Sequence, residues 1–267
     1  MTRAKAKKTM KAFRSAPLYT SALLKHGNGK LKDYEDIISG VRYKYAQVNV
    51  RAILDCPLRS AGCEEVCYAT KGNHQFPTVK ESRERSYNET KRADFAAAMI
   101  YTINIEKRGR RYKNAIMIVR IHESGDFYSV QYLRKWLKVW KYFLKNDGVV
   151  FVFYTKSFRF FNMLTKEEKK ALRKLMKAGR VAMSASLDDT TTAEQIAAYI
   201  ELKKNFPLVN TYYCTEHTDK VPHDHVCDCA NCAKCGICNH GTGESTVVKI
   251  HSASENDLKE YRKNARK

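Results

Sequence analysis

Three cysteines fall within twelve residues of the stretch CPLRSAGCEEVCYATKG: Cys56, Cys63 and Cys67, with Tyr68 directly after the third. In a reducing compartment such thiols are either buried singly or hold metal, because disulfides do not persist there. Six and then three residues separate them. Cys63 and Cys67 meet the interval of two to four residues that opens a structural zinc site. A [4Fe-4S] cluster suits the triplet better, because three thiolates hold three irons and leave the fourth open to a small molecule.

A second set lies in CTEHTDKVPHDHVCDCANCAKCGICNH. Cys229, Cys232, Cys235 and Cys238 are each separated by two residues, with Cys214 and Cys227 nearby. This ladder predicts a second metal site. It is either zinc, with His217, His223, His225 or His240 replacing a thiolate, or an auxiliary iron-sulfur cluster with Cys214 as the distant ligand.

Other polar residues interrupt apolar runs. Arg120 sits inside one and needs a partner, either a carboxylate of the chain such as Glu123 or Asp126, or that of a bound substrate. His122, Glu123 and Asp126 are close enough for a metal-dependent nuclease, although a continuing strand would turn His122 and Glu123 to opposite faces. Lys156 in FYTKS stands where a phosphate or carboxylate would be met, and Tyr212 and Tyr213 precede Cys214.

The elements that must position these groups are legible from periodicity. Ala115–Ile121, the run GVVFVFYTKS, Val181–Asp188 and PLVNTYYC read as buried strands, each with polar residues at its carboxyl end. Val79–Lys107, Tyr132–Leu144, Leu164–Lys177 and Ala193–Lys204 read as helices, and Thr165 with Glu168 forms a capping box. Strand and helix alternate about every thirty residues, the repeat of a parallel α/β fold. Such folds place their active sites at strand carboxyl ends. The expectation is an open or partial TIM-like barrel, with a doubly wound sheet as the alternative. Three regions follow: a flexible basic arm over 1–17, an α/β core over 18–213, and a cysteine-rich metal-binding region with a basic tail over 214–267. GNGK, at Gly27–Lys30, reads as a turn and lacks phosphate-loop spacing.

The chain has 267 residues, 43% of them hydrophobic, which excludes wholesale disorder. Forty-nine Lys and Arg against 28 acidic residues give a formal charge of +21. That field attracts polyanions, nucleic acid first among them. No signal-peptide core and no run of about 18 apolar residues occurs, so a soluble, cytoplasmic protein without a membrane partner is expected.

LLKHGNGKL, CPLRSAGCEEVCYATKG, RIHESGDFYS, FYTKS and CAKCGIC, in this order from about Leu23 to His251, resemble the gene-product-88 family of phages and mobile elements. That resemblance implies a phage or plasmid protein in the host cytoplasm. CYA after two upstream cysteines, with strands ending in SGD and SASLD, is also similar to radical S-adenosylmethionine enzymes. This second resemblance implies a [4Fe-4S] cluster on Cys56, Cys63 and Cys67 that chelates S-adenosylmethionine, and a deoxyadenosyl radical that abstracts hydrogen from the substrate. Tyr68 would pack beside the cluster, Ser124, Gly125 and Asp126 would meet the cofactor's amino group, and Ser184, Ser186 and Asp188 would approach its ribose or carboxylate. Arg120, Glu123, Asp126 and Lys156 remain as catalytic candidates, acting on a macromolecular or nucleotide substrate with an external electron donor. The rival expectation is a zinc- or cluster-stabilised nucleic-acid-binding protein without enzymatic activity.

Overall fold

The computed structural model describes residues 20, 23–26, 33–37, 39–146, 148–227, 236–250 and 253–265. The expected basic arm, the GNGK turn, and Cys229, Cys232 and Cys235 lie outside the described residues.

The fold is mixed α/β, a curled half-barrel sheet of eight strands with helices. The strands are β1 (Tyr34–Glu35), β2 (Arg42–Val48), β3 (Ile116–Ile121), β4 (Val149–Thr155), β5 (Val181–Asp188), β6 (Asn210–Thr215), β7 (His225–Cys227) and β8 (Ser245–Lys249). They lie in the order β1-β2-β3-β4-β5-β6-β8-β7. Among the described strands β1 pairs antiparallel with β2 and the other strand pairs are parallel; Lys25 adds an antiparallel bridge to Gln47 of β2. All the parallel strands therefore end on one rim.

Helices α1 (Ala61–Glu65), α2 (Pro77–Lys91) and α3 (Phe95–Lys107) join β2 to β3, and α4 (Val130–Tyr142) joins β3 to β4. Then come α5 (Phe158–Asn162), α6 (Lys166–Lys177), α7 (Ala193–Asn205) and the C-terminal α8 (Glu255–Asn264). The capping box of Thr165 and Glu168 opens α6 as the sequence predicts. The single helix expected over Val79–Lys107 is instead two. The chain leaves helical space at Arg92, which grips Glu89 at 2.9 Å and Asp94 at 2.7 Å. Lys135 on α4 donates to the carbonyls of Thr90, Lys91 and Arg92 at 2.8, 3.2 and 2.9 Å, satisfying groups that the end of α2 would leave bare.

Strand alternation sorts side chains onto two faces. Met117, Val119, Ile121, Phe151, Phe153, Val181 and Met183 face the helices and pack with Phe95, Trp136, Trp140, Leu172 and Leu175 into the main core. The opposite, concave face holds Tyr45, Ile118, Val150, Val152 and Ala182 in its lower half. Ile237–Asn239 covers that half: Tyr45 Oη donates to Asn239 Oδ1 at 3.1 Å, and Asn210 Nδ2 donates to the Ile237 carbonyl at 3.1 Å. Alternation then puts Arg120, Tyr154, Ser184 and Ser186 on the upper concave face, near the rim.

Candidate functional site

The cysteine loop begins where β2 ends, and short hydrogen bonds to the next strand end fix it. Val50 N donates to the Ser124 carbonyl at 3.1 Å, Ser124 Oγ to the Val50 carbonyl at 2.9 Å, and Asp126 N to the Asp55 carbonyl at 3.0 Å. Gly125 lies at φ +81, and a Cβ there would stand 2.3 Å from Val50 Cγ2. The glycine is thus what lets the SGD turn lie against the cysteine loop.

Cys56, Cys63 and Cys67 are half-buried free thiols. Burial pushes Cys63 up to about 11 and raises Cys56 and Cys67 as well. Negative charge on Cys63 or Cys67 raises Cys56 further, and charge on Cys67 raises Cys63, so the three thiols share one neighbourhood. Tyr68 turns its hydroxyl to the Glu123 carbonyl, bracing the loop against the end of β3. Arg83 on α2, only 6% exposed, donates to the Ala69 carbonyl at 3.0 Å and lies 2.6 Å from His74 Nδ1. Its positive charge lowers Cys67 against the larger effect of burial.

On the far side, Ser60 caps α1, accepting from Cys63 N at 3.3 Å, and donates to Asp188 at the end of β5. Gly62 N donates to Thr190 Oγ1 at 2.7 Å. A Cβ on Gly62 would lie 2.4 Å from the Tyr261 ring of α8, so this helix presses on the cysteine loop directly. The Tyr261 hydroxyl donates to Asp189 Oδ2 at 3.0 Å, and Lys71 Nζ lies 2.5 Å from Asp257.

Lys156, 8% exposed, extends from the end of β4 to Asp188 Oδ2 at 2.7 Å and to the Ser186 carbonyl at 3.1 Å. Burial works against the lysine charge, but the Asp188 carboxylate outweighs it, and the ammonium is held above its ordinary value. Burial pushes Asp188 up; Lys156 and the hydrogen bonds from Ser60 and Thr190 outweigh that and leave it below the usual carboxylate range. Cys214 on β6 stands abreast of Asp188, and burial pushes its thiol up to about 12, with charge on Cys63 adding to the rise. The sequence reading groups Cys214 with the C-terminal ladder; the fold also sets it beside Lys156 and Cys63.

The other expected residues have these places. Asp126 accepts from Thr155 Oγ1 at 2.8 Å, Lys156 N at 2.9 Å and Phe127 N at 2.7 Å, tying the ends of β3 and β4; burial keeps its carboxyl raised. Glu123 accepts from Asn49 Nδ2 at 3.2 Å. Ser184 is buried and Ser186 half-buried on the concave face. Cys238 is half-buried on the segment covering the lower concave face, and Cys227 ends β7. His122 leaves β3 at φ +62 and packs against Phe127 and Tyr132 in the core, Nε2 3.0 Å from Tyr132 Oη. The strand ends before His122, so a left-handed turn and not strand alternation sends it into the core. Among the described residues no group of three His, Cys, Asp or Glu side chains converges on a single metal ion.

Sequence reasoning missed Ser60, Thr190, Asn49 and Arg83. Only tertiary contact marks them; their local text is that of ordinary caps, strand ends and helix faces.

A family model described as Gene product 88 matches residues 21–241. The chain belongs to the gene product 88 family. No characterised protein and no solved structure matches it, so the comparisons lend no support to the S-adenosylmethionine-enzyme resemblance. The gene product 88 match takes in the cysteine loop, Lys156, Asp188 and Cys214, and stops short of β8 and α8. No helix among the described residues is long and apolar enough to cross a membrane.

Proposed function

We propose that this gene product 88 chain is an iron-sulfur enzyme of radical S-adenosylmethionine type acting on a nucleotide or macromolecular substrate. One observation carries the reading: the three-thiol loop follows the first parallel strand and is tied to the carboxyl ends of β3 and β5 in a curled parallel sheet. Parallel α/β folds gather their chemistry at that rim.

Three thiols on one loop suit a [4Fe-4S] cluster, which takes three thiolates and leaves one iron open, better than a structural zinc, which takes four donors. The three lie near enough to influence one another. When bound, such a cluster would supply one-electron reduction of S-adenosylmethionine, with the electron coming from an external donor. The chain's own residues do the rest. Cys56, Cys63 and Cys67 supply thiolates; Arg83 sets a buried positive charge beside Cys67; Tyr68 and Ser60 hold the loop in place. Lys156 and Asp188 offer a charged, hydrogen-bonding wall beside it, and Ser184 and Ser186, on the same concave face, would approach the cofactor.

Metal and acid-labile sulfide analysis of protein purified without oxygen tests this, with a Cys56→Ala, Cys63→Ala, Cys67→Ala variant alongside. The expected result is iron and sulfide that fall by about one four-iron cluster in the variant. Zinc without sulfide would sink the radical mechanism. It would favour the rival reading, a zinc-stabilised nucleic-acid binder, for which the +21 charge speaks. The C-terminal ladder is assigned a second metal, zinc or an auxiliary cluster, by its spacing alone.

A further inference from the structure

Arg120 is the one cation of the upper concave face with neither a carboxylate nor a carbonyl assigned to it among the described residues. It projects from an otherwise apolar strand, in register with Gln47 on one side and Val152 on the other. Its guanidinium carbon lies 4.0 Å from the centre of the Tyr154 ring, and its Nε is buried with no hydrogen-bond partner. A planar cation on an aromatic face keeps its in-plane N–H groups free for an oxyanion.

The nearby carboxylates have other donors. Glu123 accepts from Asn49, Asp126 from Thr155 and the Lys156 amide, and Asp188 from Lys156, Ser60 and Thr190. Leaving a guanidinium in a protein wall without a counter-ion is costly, so a ligand anion is the natural complement. The site adjoins the cysteine loop, since the Arg120 charge acts on the Tyr68 phenol. Tyr212 meets Tyr154 edge-on at 4.7 Å; both are half-buried on the concave face, and the Tyr154 phenol also meets Cys238 of the covering segment. A fork for an oxyanion beside flat aromatic surface matches a phosphate attached to a planar base.

The geometry points to Arg120 as the phosphate-binding residue of a nucleotide substrate, with Tyr154 and Tyr212 forming the surface against which its base lies. This assignment deepens the proposed function and rests on it for the fate of the substrate. The binding itself needs no cluster, so its failure and the failure of the iron analysis are separate results.

The test is titration calorimetry of the protein as purified, using the four ribonucleoside monophosphates and the corresponding nucleosides. At least one monophosphate is expected to bind about tenfold or more tighter than its nucleoside, as a charge-assisted bidentate contact implies. Arg120→Gln should erase that difference while the circular dichroism melt stays in place, and Arg120→Lys should restore only part of it. Should Arg120→Gln fail to fold, Tyr154→Ala and Tyr212→Ala provide the second measurement, and each should weaken nucleotide and nucleoside together. Equal affinity of monophosphate and nucleoside for the wild-type protein would overturn the assignment. So would a folded Arg120→Gln variant that keeps the preference, or tyrosine variants that bind unchanged.

Discussion

Lys156 Nζ lies 2.7 Å from Asp188 Oδ2, and this buried pair joins the ends of β4 and β5 to Ser60 of the cysteine loop. Removing one partner strands the other charge in a low-dielectric wall. Lys156→Met or Asp188→Asn alone should therefore cost about 3–5 kcal/mol of unfolding free energy. The double variant should cost clearly less than the sum, as a urea-unfolding double-mutant cycle would read. Additive costs would show the pair to be uncoupled.

His122 gives a pH signature. It is 3% exposed, and burial, helped by the Arg120 charge, depresses its imidazole to about 3. The unfolded chain takes up a proton near pH 6.5 that the folded chain refuses until about 3, so stability falls as pH drops through that window. The slope from this group alone is about 1.4 kcal/mol per pH unit between the two values. His122→Asn, which tolerates the positive φ, should flatten the stability profile between about pH 4 and 6. An unchanged slope would mean that other groups carry the acid sensitivity.

Two glycines should respond to alanine very differently. Gly125→Ala meets Val50 Cγ2 at 2.3 Å as well as the strain of φ +81, whereas Gly40, at φ +65, has nothing within 4 Å of a new Cβ. Gly40→Ala should cost about 1 kcal/mol, and Gly125→Ala about 3 kcal/mol or more, with the cysteine loop loosened. Thermal melts and limited proteolysis across residues 50–72 read both effects. Equal costs would argue against the close seating of the SGD turn on Val50.

Contact between α8 and the cysteine loop predicts coupling across the chain. Gly62→Ala drives its methyl into the Tyr261 ring, so it should destabilise by about 2 kcal/mol. Tyr261→Ala should be costly on its own, yet in its background the Gly62 substitution should lose much of its effect. Thr190 Cγ2, 2.8 Å from the new Cβ, sets the remainder. Identical Gly62→Ala costs in both backgrounds would place the strain elsewhere.

The sequence alone determined the alternation of the main strands and helices between Ile116 and Thr215, because buried parallel strands are written as apolar runs and their helices as amphipathic or capped segments. Val181–Asp188 matches its predicted span, and α6 starts at its predicted capping box. The sequence also singled out the cysteine loop and the strand ends, which the fold brings together on one rim. It did not reveal β2, whose RYKYAQV mixes charged and aromatic residues because only its second half is buried, nor the short strand β8. Nor did it reveal the break at Arg92, which depends on Lys135 arriving from another helix.

Only the tertiary structure decided which polar residues share a neighbourhood. Spacing associated Cys214 with the ladder that follows it, whose Cys229, Cys232 and Cys235 lie outside the described residues; pairing β6 to β5 is what adds Asp188 and Lys156 as its neighbours. Spacing grouped His122 with Glu123, whereas a left-handed turn sends His122 into the aromatic core. Local pattern reports how a segment folds because backbone periodicity is a short-range property. The assembly of a site is long-range: it depends on strand register and on which face each side chain takes, and these are settled only when the sheet closes over its core.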